Sequence, residues 1–318
     1  MYPADVSQDR PLDVFMAHMD VVFSDETELP LRVEDGRIYC PGVGDDTACL
    51  VCLLLAGKYI ARHVDSPSWR EIRGEDAPGL LLVCNAGEEG LGNLKGVRKI
   101  CEDYGGRIKS FCTFDSSLSS IVDRAVGSKR FRVKVRTRGG HSYNDFGNDN
   151  AIAGLASLVG KLYKIQVPEG GKTTYNVGMI SGGTSVNTIA QEAEMLYEFR
   201  SDKRENLEYM ERQFMEVLDR AKAEGMDVSF QVIGVRPCEG QVDPAQKQAL
   251  TDWAHRVVEE MTGQAPKHHA GSTDCNIPLS MGIPAVSFGG YRGGGAHTRQ
   301  EWVDAGSFEE GYNIILAF

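Results

Sequence analysis

Short apolar runs alternate with longer helix-like stretches in the first part of this sequence. Strand-like runs occur at PLDVFMAHMD, GLLLVCNAG and IKSFCTFD. Helix-like stretches separate them at DDTACLVCLLLAGKYIARHV and LGNLKGVRKICEDYG. Because strands that alternate with helices form parallel sheets, the sequence predicts an α/β fold with a mostly parallel sheet.

The pattern changes between about Gly127 and Arg236. Strands here alternate charged and apolar residues, as in KRFRVKVRTR and EAEMLYEFRS, which suits a sheet with one face in water. Helical candidates at NDNAIAGLASLVGKLYKI and RENLEYMERQFMEVLDRAKAEG complete a βαββαβ order, typical of a two-layer sandwich. The α/β character returns after Pro237 with PAQKQALTDWAHRVVEEMTG and IPAVSFGG. We therefore predict an inserted domain, 127–236, within a discontinuous domain formed by 1–126 and 237–318.

Composition excludes several classes of partner. The chain has 318 residues and a formal net charge of -11, without a cluster of basic residues, which argues against nucleic acid. We find no run long enough to span a bilayer and no signal-peptide pattern, so we expect a cytoplasmic protein that does not bind membranes. The eight cysteines lie mostly in apolar runs without a disulfide framework, which predicts buried free thiols.

Four segments with acidic or histidine residues follow apolar strands or lie at strand-to-helix turns. They are AHMD, GVGDDTA, NAGEEGLG and TFDSS. In an open α/β sheet, loops beyond the carboxyl ends of the strands converge on one crevice, so these segments can meet. His297, in GGGAHTRQEWVD, follows a late strand through a glycine loop that can turn the imidazole inward.

This set of side chains predicts a metal site. Imidazoles with carboxylates favour Zn²⁺, Mn²⁺ or Co²⁺, and two histidines with three acids can hold two ions if one carboxylate bridges them. Burying Asp45, Glu88, Glu89 and Asp115 together without cations would be unfavourable, because like charges repel and lose their hydration. The alternative is that adjacent acids such as those of GEEG simply occupy the start of a helix.

The ordered motifs resemble those of the co-catalytic zinc exopeptidase and aminoacylase family, which includes peptidase T, carboxypeptidase G, acetylornithine deacetylase and succinyl-diaminopimelate desuccinylase. The motifs are HMD, GVGDD, GEEG, FDSS, GGHS, GGTSVNTIA, STDCNIPLSMGIPAV and HTRQEW. They occur in the family's order over nearly the whole chain. The resemblance implies a metal-binding catalytic domain with an inserted dimerisation or lid domain.

The resemblance also implies roles in the metal site. Asp45 would bridge two ions, Zn²⁺ by expectation and Co²⁺ or Mn²⁺ as alternatives. The other ligands would be His18 and Asp115 for one ion, and Glu89 and His297 for its neighbour. Asp20 would hold the second ring nitrogen of His18 and fix its tautomer. Glu88 would be the general base that takes a proton from a water between the metals.

Three residues of the inserted domain match family positions near the substrate. His141 would reach across a homodimer and help stabilise the oxyanion of the tetrahedral intermediate. Asn187 and Arg200 would contact the substrate, and the planar guanidinium of Arg200 suits a carboxylate. Arg200 could equally face solvent within its alternating strand.

The expected activity is hydrolysis of an amide bond in di- or tripeptides, as by peptidase T. A deacylase of N-acyl amino acids is the first alternative, and a metal-binding homologue without activity is the second. Two departures from the family pattern are visible: Thr47 replaces the usual lysine, and only 17 residues precede His18, where relatives carry several tens. The short start predicts an N-terminally truncated chain.

Overall fold

The parallel sheet predicted from the sequence lies at the centre of the first of two structural units. A computed structural model describes residues 9–23, 28–74 and 76–318. The first unit contains the described residues up to Ala125 and Glu239–Phe318, and the second is Val126–Cys238. Among the described residues, no helix is long and apolar enough to cross a membrane.

The elements follow one another in this order. The first unit begins with β1 (Leu12–His18), β2 (Arg32–Glu34), β3 (Arg37–Tyr39), α1 (Cys49–His63), α2 (Pro67–Arg73), β4 (Gly79–Asn85), α3 (Lys95–Tyr104), β5 (Ile108–Phe114) and β6 (Ser120–Ala125). The second contains β7 (Gly127–Arg136), β8 (Gly140–His141), α4 (Ala151–Leu162), β9 (Thr173–Gly182), β10 (Thr188–Ile189), β11 (Glu192–Ser201), α5 (Arg204–Ala223) and β12 (Asp227–Arg236). The first then continues with α6 (Pro244–Thr262), β13 (Lys267–Gly271), α7 (Asn276–Ser280), β14 (Ala285–Phe288), β15 (Gly293–Gly294), β16 (Trp302–Asp304) and α8 (Ser307–Ala317).

The main sheet has the strand order β13-β6-β14-β5-β1-β4. All neighbours are parallel except β14 and β6, so the mostly parallel sheet is confirmed. Side chains of β1 alternate between two cores: Phe15 packs with α1, α6 and α8, whereas Val14 and Met16 pack with α3 and α7. Burial on both faces explains why this strand reads as a continuous apolar run.

The second unit is an antiparallel sheet with the order β12-β7-β11-β9, and α4 and α5 contribute to its apolar core. This matches the predicted βαββαβ order. Inward residues of β7, such as Phe131 and Val133, are buried, whereas its charged residues pair with acids of β11. Arg130 lies 3.2 Å from Glu198 in one of these cross-strand pairs. The alternation of the sequence therefore reflects one apolar and one charged face.

Several elements are absent from the sequence prediction. They include β6 and β13 of the main sheet, the helices α2 and α7, the two-residue strands β8 and β10, and the small sheet β15-β16-β3-β2, whose strands have two or three residues each. Strands this short give too few residues for a periodic signal. Six of the eight cysteines are buried and all are free, but Cys84 is exposed on the edge strand β4, so the expectation of a buried thiol is wrong there.

The core of the second unit gives a stability prediction. Phe214 is fully buried, and the centre of its ring lies 4.3 Å from the ring centre of Phe131 and 5.5 Å from that of Tyr197. We expect Phe214→Ala to lower the free energy of unfolding by about 3–5 kcal/mol, because it leaves a cavity. Urea denaturation followed by circular dichroism measures this change. Phe146→Ala is the control, since Phe146 is 91% exposed and should change stability by less than about 0.5 kcal/mol.

Candidate metal centre

The side chains that the sequence assigned to a metal site lie at the carboxyl ends of neighbouring strands. His18 is the last residue of β1, Asp115 follows β5 directly, and Glu89 lies in the loop after β4. Asp45 lies in the irregular helical segment Val43–Ala48, which leads into α1. His297 lies in the turn between β15 and β16 and has a positive φ of 63°. Parallel pairing of three strands therefore brings together residues that are up to 97 positions apart (115 − 18).

The carboxylate of Asp45 lies between the two histidines. Its Oδ1 is 3.0 Å from Nε2 of His18, and its Oδ2 is 2.9 Å from Nε2 of His297. Asp115 Oδ1 is 3.9 Å from the same nitrogen of His18, and Glu89 Oε1 is 3.4 Å from that of His297. Single ligand atoms of His18, Asp45 and Glu89 all lie within 4.8 Å of one another. Each histidine thus faces one oxygen of Asp45 and one further acid.

The charges of this cluster favour a bound cation. Burial opposes protonation of His18, but its hydrogen bond with Asp45 and the charge of Asp115 outweigh burial and raise the pKa of His18 to about 12. Burial would also raise the pKa of Asp45, but His18 and His297 hold that pKa below its usual value. In the absence of a metal, the cluster therefore retains a proton and its positive charge on His18. A bound metal ion would replace that proton.

The remaining acids lack sufficient positive charge around them. Burial, with the charges of Asp45 and Glu88, raises the pKa of Glu89 to about 7. Burial also raises the pKa of Asp115 well above its usual range, although His18 acts in the opposite direction. Divalent cations would relieve both the repulsion and the loss of hydration. The donor set of imidazoles and carboxylates fits Zn²⁺, Mn²⁺ or Co²⁺.

Asp20 supports His18 through a different atom from the expected one. Nδ1 of His18 lies 2.9 Å from the main-chain oxygen of Asp20 and 3.9 Å from its carboxylate. Because a carbonyl only accepts, this bond still places the proton on Nδ1 and directs Nε2 towards Asp45. The carboxylate of Asp20 instead accepts main-chain N–H groups of Gly87, Glu88 and Glu89 at 2.8, 3.3 and 2.9 Å. The expected bond from the imidazole to the carboxylate of Asp20 is therefore corrected to a bond from the imidazole to its main-chain oxygen.

The carboxylate of Asp20 has its own task in the site. Burial would raise the pKa of Asp20, but the hydrogen bonds from Glu89, Gly87 and Glu88 hold that pKa below its usual value. An ionised Asp20 thus fixes the loop that presents Glu88 and Glu89. Glu88 is 5% exposed.

Two buried acids at the site have no role in the sequence prediction. Asp46 is 1% exposed and accepts the main-chain N–H of His18 at 2.9 Å. Glu301 is 2% exposed and accepts three main-chain N–H groups of the segment that carries Asp45. Both acids lie in the quoted motifs GVGDD and HTRQEW. Both acids could therefore be recognised as part of a motif. A single sequence does not indicate, however, from which main-chain N–H groups a side chain accepts hydrogen bonds.

Two of the expected substrate residues lie together in the second unit. His141 and Thr188 pair across the two-stranded sheet of β8 and β10, next to Asn187. Nδ1 of the exposed His141 accepts the main-chain N–H groups of Tyr143 and Asn144 at 3.3 and 3.4 Å. These bonds leave the ring proton on Nε2, where it can be donated.

Arg200, the third expected substrate residue, lies on β11 and is 38% exposed. Its Nε and Nη2 atoms donate to the two carboxylate oxygens of Glu198 at 2.8 and 3.2 Å. Arg130 contacts the same acid at 3.2 Å. The planar guanidinium of Arg200 therefore already holds a carboxylate of its own strand in this structure.

Comparisons with known proteins place these features in one family. The model of "Peptidase family M20/M25/M40" matches residues 14–318. A succinyl-diaminopimelate desuccinylase from Nitrosomonas eutropha is 24% identical over 95% of this chain and 80% of its own. A putative succinyl-diaminopimelate desuccinylase from Mycobacterium tuberculosis is 24% identical over 60% of this chain and 52% of its own.

Solved structures show the same fold. The aminopeptidase PepT of Bacillus cereus superposes with a TM-score of 0.70 at 21% identity, over 98% of this chain and 80% of that one. A metallo-carboxypeptidase of Sulfolobus solfataricus gives a TM-score of 0.73 at 15% identity, over 98% and 85%. These likenesses agree with the mixed α/β architecture of this protein. Since the family model spans nearly the whole chain, the protein belongs to peptidase family M20/M25/M40.

Proposed function

We propose that this member of a metallohydrolase family cleaves amide bonds in small peptides at a centre of two divalent ions, with Zn²⁺ as the expected metal. One observation carries the proposal: the two oxygens of Asp45 face two different imidazoles, at 3.0 and 2.9 Å. A carboxylate in this position can bridge two ions. His18 and Asp115 would complete one half of the centre, and Glu89 and His297 the other.

The proposed chemistry divides between the metals and the protein. Bound divalent ions would acidify a water molecule and polarise the scissile carbonyl. The carboxylate of Glu88 would take the proton from the attacking water and pass it to the leaving nitrogen. Asp20 supports this step, because it holds the main-chain N–H of Glu88 and of its neighbours.

Residues of the second unit are proposed to bind the substrate. His141 would donate its Nε2–H to the oxygen that becomes negative during attack, and Asn187 directly precedes Thr188, which pairs with His141. Arg200 would bind a substrate carboxylate by exchanging it for Glu198. The peptidase T structure supports a peptide substrate by analogy of fold.

Deacylation of N-acyl amino acids is the second candidate. A specific observation favours it, because the curated relatives include a desuccinylase and an acetylornithine deacetylase at 24–25% identity. Both reactions break an amide bond and need the same base and metals. They differ in the groups that flank the bond, which the proposed substrate residues His141, Asn187 and Arg200 would select.

We further propose a homodimer through the second unit. Strand β9 is an edge of its sheet, and Met179 and Ile180 on it are 65% and 57% exposed. An edge strand with exposed apolar residues can pair with a second copy. His141 would then serve the metal centre of the partner chain.

The role of Glu88 can be tested by Glu88→Gln. We expect turnover to fall by about 10²- to 10⁴-fold while metal content stays the same, because the amide cannot accept the proton. Steady-state kinetics and metal analysis measure the two quantities. Glu102→Gln on the surface of α3 is the control and should behave as wild type. Near-normal turnover of the Glu88 variant would exclude it as the base.

A screen of metal-loaded protein tests the reaction class. The protein should hold two ions per chain and hydrolyse di- or tripeptides in preference to N-acetyl and N-succinyl amino acids. Mass spectrometry of the metals and chromatography of the products give both results. Preference for acylated amino acids would favour the deacylase, and fewer than two ions without turnover would favour a metal-binding protein that lacks activity.

Sedimentation tests the dimer and the trans role of His141. We expect wild type to sediment as a dimer and Ile180→Asp to shift it towards monomer with reduced activity, since a charge at the interface is unfavourable. Val232→Asp on β12, the opposite edge of the same sheet, is the control; Val232 is 42% exposed. A fully active monomer would refute the trans role.

A further inference from the structure

The short segment that carries His297 also carries the buried acid Glu301. Oε2 of Glu301 accepts the main-chain N–H of Gly42 at 2.6 Å. Its Oε1 accepts those of Gly44 and Asp45 at 2.9 and 2.8 Å. Three main-chain donors occupy most of the lone pairs of this carboxylate, so the side chain of Glu301 is used to hold the backbone of residues 42–45.

A tight turn connects Glu301 with His297. The main-chain N–H of Thr298 donates to the oxygen of Gly295 at 3.0 Å, and that of Glu301 donates to the oxygen of Thr298 at 3.3 Å. The main-chain oxygen of Glu301 accepts the N–H of Cys40 at 3.2 Å. This turn presents both the imidazole that meets Asp45 and the carboxylate that holds the amide of Asp45.

The segment held by Glu301 fits closely against its surroundings. Gly42 has a φ of +77°, and a Cβ there would lie 2.3 Å from Cγ1 of Val21. A Cβ on Gly44 would lie 2.7 Å from the ring of Tyr291. Glycines at these positions let the backbone approach, but they offer no side chain to fix it. The carboxylate of Glu301 supplies that attachment through main-chain N–H groups.

The other half of the candidate centre has a separate attachment. Asp46 accepts a hydrogen bond from the main-chain N–H of His18 at 2.9 Å and so connects β1 with the segment Val43–Ala48. Each histidine is thus connected to the segment of Asp45 by its own buried acid. Loss of the Glu301 carboxylate should consequently disturb the positions of His297 and Asp45. The hydrogen bond between Asp46 and the main chain of His18 should remain.

We infer that Glu301 is a positioning residue for the half of the proposed centre formed by Asp45, Glu89 and His297. The inference rests on the proposed dinuclear function. Outer residues that orient metal ligands typically change metal affinity by about 10- to 100-fold when they are replaced. Glu301 would act in this way on two ligands at once.

The test uses Glu301→Gln in the full chain. The amide keeps the size of the side chain but replaces one acceptor oxygen by a donor NH₂, which cannot accept from the backbone. Competition between protein and chelator for Co²⁺ should show one ion bound about 10- to 100-fold more weakly. The second ion should be weakened less, because it shares only Asp45 with the first and keeps His18 and Asp115. Glu309→Gln, an exposed residue in α8, receives the same substitution as a control and should bind both ions as wild type does.

Hydrogen exchange of the metal-free proteins gives an independent readout. In Glu301→Gln, those amides of Gly42, Gly44 and Asp45 that face the new NH₂ group should exchange faster, while those of β1 keep their protection. Glu301→Asp retains the charge on a shorter side chain and should give intermediate exchange and intermediate affinity. If wild type binds fewer than two ions, the proposed function fails, and this exchange experiment still decides whether Glu301 holds the segment.

Four results would overturn the inference. The first is wild-type affinity for both ions in Glu301→Gln, and the second is unchanged exchange of its three amides. The third is unfolding of both Glu301 variants, and the fourth is equal loss of both ions. Either of the last two would indicate a general structural role in place of local positioning.

Discussion

The site is organised around one shared carboxylate. Asp45 lies between His18 and His297, and its two oxygens point to different imidazoles. Such a group needs partners on both sides, so the chain must bring β1 and the late turn before β16 to the same place. The raised pKa of about 7 for Glu89 and the raised pKa of Asp115 have the same origin, because more acids are buried here than the two histidines can balance. The fold thus confines negative charge that a cation can neutralise.

Much of this arrangement could be predicted from the sequence. The apolar runs ending at His18, Asn85 and Phe114 became neighbouring parallel strands, because strand periodicity and strand-end position are local properties. General topology then required their loops to converge. The alternating strands of the second unit were equally readable, since the ion pairs between β7 and β11 follow from which residues face outward.

Other parts depend on atoms that a single sequence does not specify. The bond from His18 ends on the main-chain oxygen of Asp20, although the carboxylate was the expected partner. The functions of Asp20 and Glu301 are similar: each acid accepts hydrogen bonds from main-chain N–H groups of a loop and thereby sets the direction of neighbouring ligands. Whether an acid faces a metal, an imidazole or a backbone is decided by tertiary packing, so residue type and spacing were insufficient.

A division of labour between acids follows from these contacts. The outer acids Asp20 and Glu301 accept main-chain donors, which favour their ionised forms without using a cation. These bonds hold the pKa of Asp20 below its usual value, whereas burial still raises the pKa of Glu301. The inner acids, Glu89 and Asp115, lack such neutralisation and have raised pKa values. A cation entering the cluster would therefore interact chiefly with the inner acids, because the outer ones already have partners. Hydrogen bonds from the backbone thus distinguish two groups of acids: those that hold the loops in place and those that remain available to a metal.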